Sequence, residues 1–235
     1  MNNPNGTVPL VEVLVGSQAH GLALPESDRD TRSVFAIPTA VLLGMHADSA
    51  KRAWQTVEKD GDDSGGYEAA RFLELVEKCS PSAVEMLYAP RVHLYPDGAG
   101  LLETGRTLVT RKPLINAMIG YAMNSWRKIE ERPGKWKAGM LRTLYLGRVI
   151  AMYGPTSPYV SLNVHTWEDE VAREIIKARN NELSDGYVWD RAKQLREELD
   201  SGEWPNLPEA LPPMAIESAN TWLCRMRLSQ DQRFT

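Results

Sequence analysis

With 235 residues, 43% of them hydrophobic, the chain can bury a sizeable core, as one large domain or two small ones. No apolar run reaches the ~18 residues of a membrane span, and MNNPNGTVPL has no basic stretch leading into an apolar one, so no secretion signal is expected. A net charge of −4 argues against bulk electrostatic attachment to nucleic acid.

Along the chain, LVEVLV (10–15) is apolar and β-branched, bounded by Pro9 and Gly16, and predicts a strand. A short helix fits between Ser17 and Leu24 and is broken by Pro25. Asp28 to Ile37, ending before Pro38, predicts a second strand, and KRAWQTV (51–57) a third. KDGDDSGG (59–66) has the composition of a turn or loop. In YEAARFLELVEKC (67–79), Phe72, Leu75, Val76 and Cys79 recur at helical spacing. Ser80 and Pro81 then read as the N-cap and first residue of a helix over PSAVEMLYA. RVHLYPDGAG (91–100) is a short apolar segment ending in a turn.

From about residue 101 the texture is helical. KPLINAMIGYAMNSWRKI and KWKAGMLRTLYLGRVIAMYG carry apolar stripes of helical period and are split by Pro133-Gly134. After the loop GPTSP come WEDEVAREIIKARNN and DGYVWDRAKQLREELD, and NLPEALPP connects to a last helix, MAIESANTWLCRMRL. The expected fold is therefore α+β, with a strand-bearing first part over 1–100 and an all-helical part over 101–235. Cys79 and Cys224 each lie in an apolar helical pattern without a metal-type neighbour, which fits a reduced, cytoplasmic setting. Between Arg106 and Arg148 stand ten Lys/Arg and two acids, a local balance of +8 that leaves −12 for the rest. That asymmetry suits a polyanion such as a triphosphate or a nucleic-acid backbone; a helical surface of solvated bases is the alternative.

The chemistry concentrates between the first two strands. Asp28 and Asp30, two residues apart in an extended segment, share a face and lie ~6.6 Å apart along it. Such carboxylates repel unless solvated or bridged by cations, and the spacing suits a pair of Mg²⁺ ions about 3.5–4 Å apart. Mg²⁺ takes oxygen ligands, commonly one or two carboxylates with substrate phosphates. The Gly16-Ser17 pair that ends the first strand supplies the complement. Gly16 lets backbone approach a phosphate, Ser17 offers a hydroxyl, and the amides of a helix start attract anions. The competing reading is an Asp-rich turn bonded to its own backbone.

Other residues read more plainly. Arg32 is either a phosphate contact or the counter-ion of the two aspartates. Glu68, at a helix start, complements the helix dipole. His20, His46, His93 and His165 lack zinc spacing, and only His20, inside the connector, is a candidate to face substrate. The tryptophans at helical spacing are read as core, with Trp126 and Trp136 also candidates for stacking on a nucleobase.

An apolar strand, then Gly-Ser, then ten residues, then Asp-x-Asp resembles the DNA polymerase beta-like nucleotidyltransferase superfamily. Within it the chain is similar to the predicted nucleotidyltransferases of the RNA repair pathway, polymerase beta family. The likeness rests on AHGLALPESDRDTRSVFAIP, on the helix pair in YEAARFLELVEKCSPSAVEMLY and, more loosely, on KWKAGMLRTLYLG, together spanning roughly residues 10–150. The chain departs from the pattern in lacking a histidine near Gly139-Met140 and in carrying Ser80 where Asn is more usual.

The resemblance implies a small mixed sheet with helices, a polymerase beta-like nucleotidyltransferase core, followed by an all-helical C-terminal domain. It implies that Gly16 and Ser17 hold the nucleoside triphosphate, ATP or another, and that Asp28 and Asp30 bind Mg²⁺ or Mn²⁺. A third carboxylate acts as general base and metal ligand. Asp63 is the choice, with Asp60, Asp62 and Glu68 as rivals. Arg142, with Lys137 one turn earlier, would neutralise a phosphate. The implied activity is transfer of a nucleoside monophosphate to a hydroxyl, an RNA end in the first instance. Transfer to a protein or small molecule, and a nucleotide-binding module without turnover, are the alternatives. No membrane partner is expected.

Overall fold

A computed structural model describes residues 7–44, 53–57 and 63–231. Within them the architecture is α+β, a five-stranded mixed sheet with helices followed by a helical region. Strand β1 (Val8–Leu14) runs antiparallel to β2 (Thr31–Ala36). Leu10, Val11 and Val13 are buried. The strand starts two residues before the sequence pattern suggests, and Pro9 sits where the pairing register shifts, as a residue without an amide hydrogen must. β2 is shorter than expected. Asp28 and Asp30, expected within the strand, lie in the segment that leads into it, ahead of the ladder.

After helix α2 (Thr39–Leu43), β3 (Ala53–Val57) and β4 (Asp63–Glu68) form an antiparallel pair, and β4 joins β2 in parallel. Residues 63–66, a loop by composition, are thus part of an interior strand. Ladder bonds to neighbours on both sides outweigh the weak strand propensity of Gly65 and Gly66. The segment after Pro90, expected only as a short apolar stretch, supplies β5 (Arg91–Leu94) at the edge of the sheet beside β1.

Helix α3 (Ala69–Glu77) buries Phe72, Leu73 and Val76, and Glu68 caps it by accepting from the amides of Ala70 (2.9 Å) and Arg71 (3.3 Å). In α4 (Pro81–Tyr88) Ser80 and Pro81 stand at the expected N-cap and first-turn positions, although the Ser80 hydroxyl makes no capping bond. The remaining helices are α5 (Leu101–Arg106), α6 (Arg111–Trp126), α7 (Pro133–Tyr153), α8 (Asp169–Arg179), α9 (Asp185–Ser201) and α10 (Pro213–Asp231).

Two apolar clusters organise them. One joins β1 and β2 to α3, α4, α5 and α10. The other joins α6 and α7 to α8 and α9. Helix α7 contributes Leu146 and Ile150 to the first and Met140, Leu141 and Leu144 to the second. It is covered almost all round, not striped, and so takes Lys137 and Arg142 inside with it. No helix among the described residues is long and apolar enough to cross a membrane.

Candidate active site

The β1–β2 connector is a braced loop. The amide of Val15 donates to the Asp30 carbonyl (2.9 Å), carrying the ladder one step past the strands. Gly16 then leaves with φ +67°, a conformation that favours glycine, and opens the short helix α1 (Gly16–Ala19). A Cβ at Gly16 would overlap the Asp30 carboxylate. Glycine therefore serves two needs at one position, the turn and the close approach of an acid. Gln18 reaches across the loop, its Nε2 donating to the Asp28 carbonyl (3.2 Å). A turn at Leu24–Ser27 returns the chain, with the Leu24 amide bonded to the Ser27 hydroxyl (2.8 Å). The backbone thus holds Gly16 and Ser17 against the Asp-x-Asp segment, with Asp28 exposed and Asp30 half-buried.

The parallel register adds a third acid to this end of the sheet. Thr31 pairs with Ser64, and Asp30 and Asp63 are the residues that precede them in the chain, so both enter neighbouring strands at the same end of the sheet. Glu68 is at the other end of β4, about 16 Å away at ~3.3 Å per residue, and its carboxylate is spent on the α3 cap and on Arg227 (2.8 Å). Asp60 and Asp62 lie outside the described residues. Arg32 donates to the Thr31 carbonyl (2.9 Å).

Below the loop is a buried polar cluster. His20 Nε2 is 2.7 Å from Arg142 Nη1, and the ring is also bonded to the Gly16 backbone. Arg142 Nη1 donates to Glu85 Oε1 at 2.7 Å. Burial first, then the neighbouring guanidinium, lowers the His20 pKa to about 3, so the ring is neutral and accepts from Arg142 at Nε2. Burial pushes the Glu85 carboxyl up, but the Arg142 guanidinium, by its charge and its hydrogen bond, more than offsets this and holds Glu85 below the usual range. His20 thus supports the Gly-Ser turn from beneath. Arg142 reaches the turn through that ring, which makes it a positioning residue.

Lys137 is not gathered here. Its ammonium donates to Asn181 Oδ1 (2.8 Å) and the Leu183 carbonyl (2.7 Å) and pairs with Asp185 (2.7 Å), tying α7 to the α8–α9 turn. Trp126 stacks obliquely on Trp189 (centroids 4.8 Å apart) within the second cluster. The Trp136 ring has the ammonium groups of Lys128 (5.0 Å from its centroid) and Lys135 (5.8 Å) over it.

Two contributions escaped sequence reasoning. Glu85 is the lone acid in PSAVEMLY, and an acid amid apolar helical residues was a signal that some cation lies opposite. The carbonyls of residues 20, 21 and 22 are also held from the helical region, by the Val164 amide (3.1 Å), the His165 ring (2.9 Å) and Arg179 Nε (3.3 Å). No local pattern announces those bonds.

The donors at the mouth of the loop are carboxylates and a hydroxyl, hard oxygens that fit Mg²⁺ or Mn²⁺, and the cradle at Gly16 is one that a Cβ would fill. Among the described residues no group of three or more His, Cys, Asp or Glu side chains converges as a ready-made metal cage. Two carboxylates completed by substrate phosphates match that donor set.

The sequence matches the RlaP family model, described as RNA repair pathway DNA polymerase beta family, over residues 5–202. The chain belongs to this family. No curated protein matches it. The RlaP match takes in the whole sheet, the Gly-Ser and Asp-x-Asp loop and helices α1 to α9, and leaves α10 outside.

Proposed function

We propose that the chain is a metal-dependent nucleotidyltransferase that moves a nucleoside monophosphate from an NTP to a hydroxyl, with an RNA end as acceptor. The observation that carries this reading is the packing of Gly16 against the Asp30 carboxylate, which sets the Gly-Ser turn beside the Asp-x-Asp segment. Family membership supports the reaction class. Gly16 and Ser17 hold the triphosphate through backbone amides and the hydroxyl. Asp28, Asp30 and Asp63 are the ligands for Mg²⁺ or Mn²⁺, which when bound neutralises phosphate charge and acidifies the attacking hydroxyl.

The acceptor oxygen bonds to the α-phosphorus as the bond from that phosphorus to the α,β-bridging oxygen breaks. Asp63 takes the hydroxyl proton, and pyrophosphate leaves past Gly16 and Ser17. Positioning and charge stabilisation supply most of the rate.

RNA is met by the exposed bases of the α6–α7 turn, Arg127, Lys128, Arg132 and Lys135. A second reading, transfer to a protein hydroxyl, is favoured by how many other cations of that stretch are used internally. Arg106 binds the Leu87 carbonyl, Arg111 binds Glu209, Arg148 binds Glu198, and Lys137 and Arg142 are buried.

The deciding experiment supplies each α-labelled NTP with Mg²⁺ or Mn²⁺ to the purified chain, with total RNA, lysate protein or no acceptor. Label in RNA, lost in Asp28→Asn/Asp30→Asn, is the expected result. Label in protein alone selects the second reading, and NTP binding without transfer rejects both.

A further inference from the structure

Helix α10 is amphipathic in an unusual sense, because both of its faces are built to pack. Its inner face is engaged. Ala215, Ala219 and Met226 are buried, Trp222 Nε1 donates to the Ala99 carbonyl (2.7 Å), and Arg227 reaches Glu68 (2.8 Å). On the opposite face Met214, Glu217, Thr221, Cys224 and Leu228 follow at alternating steps of three and four, the spacing of a helix-pairing seam. Met214 is 76% exposed and Leu228 63% exposed, and Ile216, farther round the helix, is 45% exposed. Ile216, Glu217, Thr221, Cys224 and Leu228, with Asn220 and Arg225, border an open groove of about 590 Å³ along the helix.

The arrangement of that face about Thr221 identifies its occupant. Seven residues on either side stand Met214 and Leu228, both large and apolar. Four residues on either side stand Glu217 and Arg225, opposite in charge. Three residues on either side stand Ser218 and Cys224, both small, and all six are exposed. We propose that α10 pairs antiparallel with α10 of a second copy of this chain, on a two-fold axis at Thr221. Met214 then meets Leu228 of the second copy, Glu217 meets its Arg225, and Ser218 meets its Cys224, each contact occurring twice. The small residues at the centre let the helices approach, and the large ones close both ends. A parallel pairing would set Glu217 against Glu217 and Arg225 against Arg225, so the charges select the antiparallel one. A pair of single helices is at the small end of stable interfaces, so association is concentration-dependent, with a dissociation constant on the order of micromolar. This pairing does not depend on the proposed activity. It does bear on it, because the paired helix is the one whose inner face grips Glu68 at the end of β4.

The test is sedimentation velocity on the full reduced chain across the micromolar range. A monomer–dimer equilibrium is expected. Glu217→Arg alone and Arg225→Glu alone each place like charges together twice and raise the dissociation constant about tenfold or more, whereas the double reversal restores it. These side chains are exposed, so thermal unfolding of the variants should stay at the wild-type midpoint. A second variant, Thr221→Cys with Cys224→Ser, forms an intermolecular disulfide on mild oxidation. Cys224 in the wild type does not, because its two copies are offset by six residues, about 9 Å, along the axis. A chain that is monomeric throughout, a dimer indifferent to both reversals, or a double reversal that fails to restore pairing would each overturn the proposal.

Discussion

The β1–β2 connector carries a pair of acids and the α6–α7 hairpin a run of bases, and folding treats them in opposite ways. In the connector the pattern stays at the surface. Asp28 and Asp30 remain solvent-facing or half-buried, and backbone bonds from both the sheet and the helical region hold the loop that presents them. In the hairpin much of the pattern goes inside. Lys137 and Arg142 are 4% and 7% exposed, and each has become part of the packing. A short loop between two strands has little interior in which to hide its charges, whereas the middle of a helix in contact with both apolar clusters has little exterior on which to show them.

The sharpest way to break this contrast is at Arg142. Removing one member of a buried ion pair leaves the other charge unpaired, at a cost of roughly 3–5 kcal/mol. Arg142→Met should therefore lower stability to urea by about that amount, with Glu85→Gln in the same chain recovering most of it. A loss under ~1 kcal/mol would show that the cluster is wet and that Arg142 is a surface residue after all. The connector's counterpart is Gly16→Ala, which combines a strained φ with a collision against Asp30. About 100-fold of the proposed transfer activity should go, as expected for an acid displaced by ~1 Å. The fold should lose only about 1–3 kcal/mol.

The same contrast explains what could be read from the chain. Strand β1, the Gly-Ser turn and the acids ahead of β2 are close together in sequence, so their placement was legible from local spacing, and so was the helix pair joined at Ser80-Pro81. β4 was half hidden because Gly65 and Gly66 look like loop residues, and only pairing on both sides makes them strand. The roles of His20, Glu85 and Arg142 were illegible for a different reason. They come from the residue just after α1, from α4 and from α7, and their meeting is a product of packing that no window of sequence contains. Composition counted Arg142 and Lys137 as surface charge because it cannot register that α7 is enclosed.

Acid titration sharpens the comparison from the interior side. Folded His20 titrates near pH 3 and an unfolded histidine near 6.5. Between those values the unfolded chain binds a proton that the native chain refuses, so stability falls as pH drops below 6.5, by up to about 2 kcal/mol at pH 5. Glu85, held below its usual range, adds a loss of the same sign only below about pH 4.5, the ordinary value for its carboxyl. His20→Gln should therefore flatten the dependence of the unfolding midpoint between pH 6.5 and 5 and leave the steeper fall below it. An unchanged slope in that upper window would mean that the ring is protonated in the native chain and pairs with Glu85, from which it lies 3.8 Å away.

The smallest effect belongs to the charges that stayed outside. Arg127, Lys128, Arg132 and Lys135 are exposed around the α6–α7 turn and share it with Glu130 and Glu131. Four cations against two acids leave a net +2 there, far less than the +8 of the whole stretch. If RNA tracks this turn, Lys128→Glu with Lys135→Glu should weaken binding by a similar factor for all sequences and reduce the salt slope by about one for each phosphate no longer neutralised. The same reversals at the buried Lys137 and Arg142 would destroy the fold instead of testing it, because each ammonium or guanidinium already faces a carboxylate. An unaltered salt slope in the double variant, with protein stability intact, would remove RNA from this face and leave the acid-lined mouth beside Gly16 as the part of the surface that an acceptor must reach.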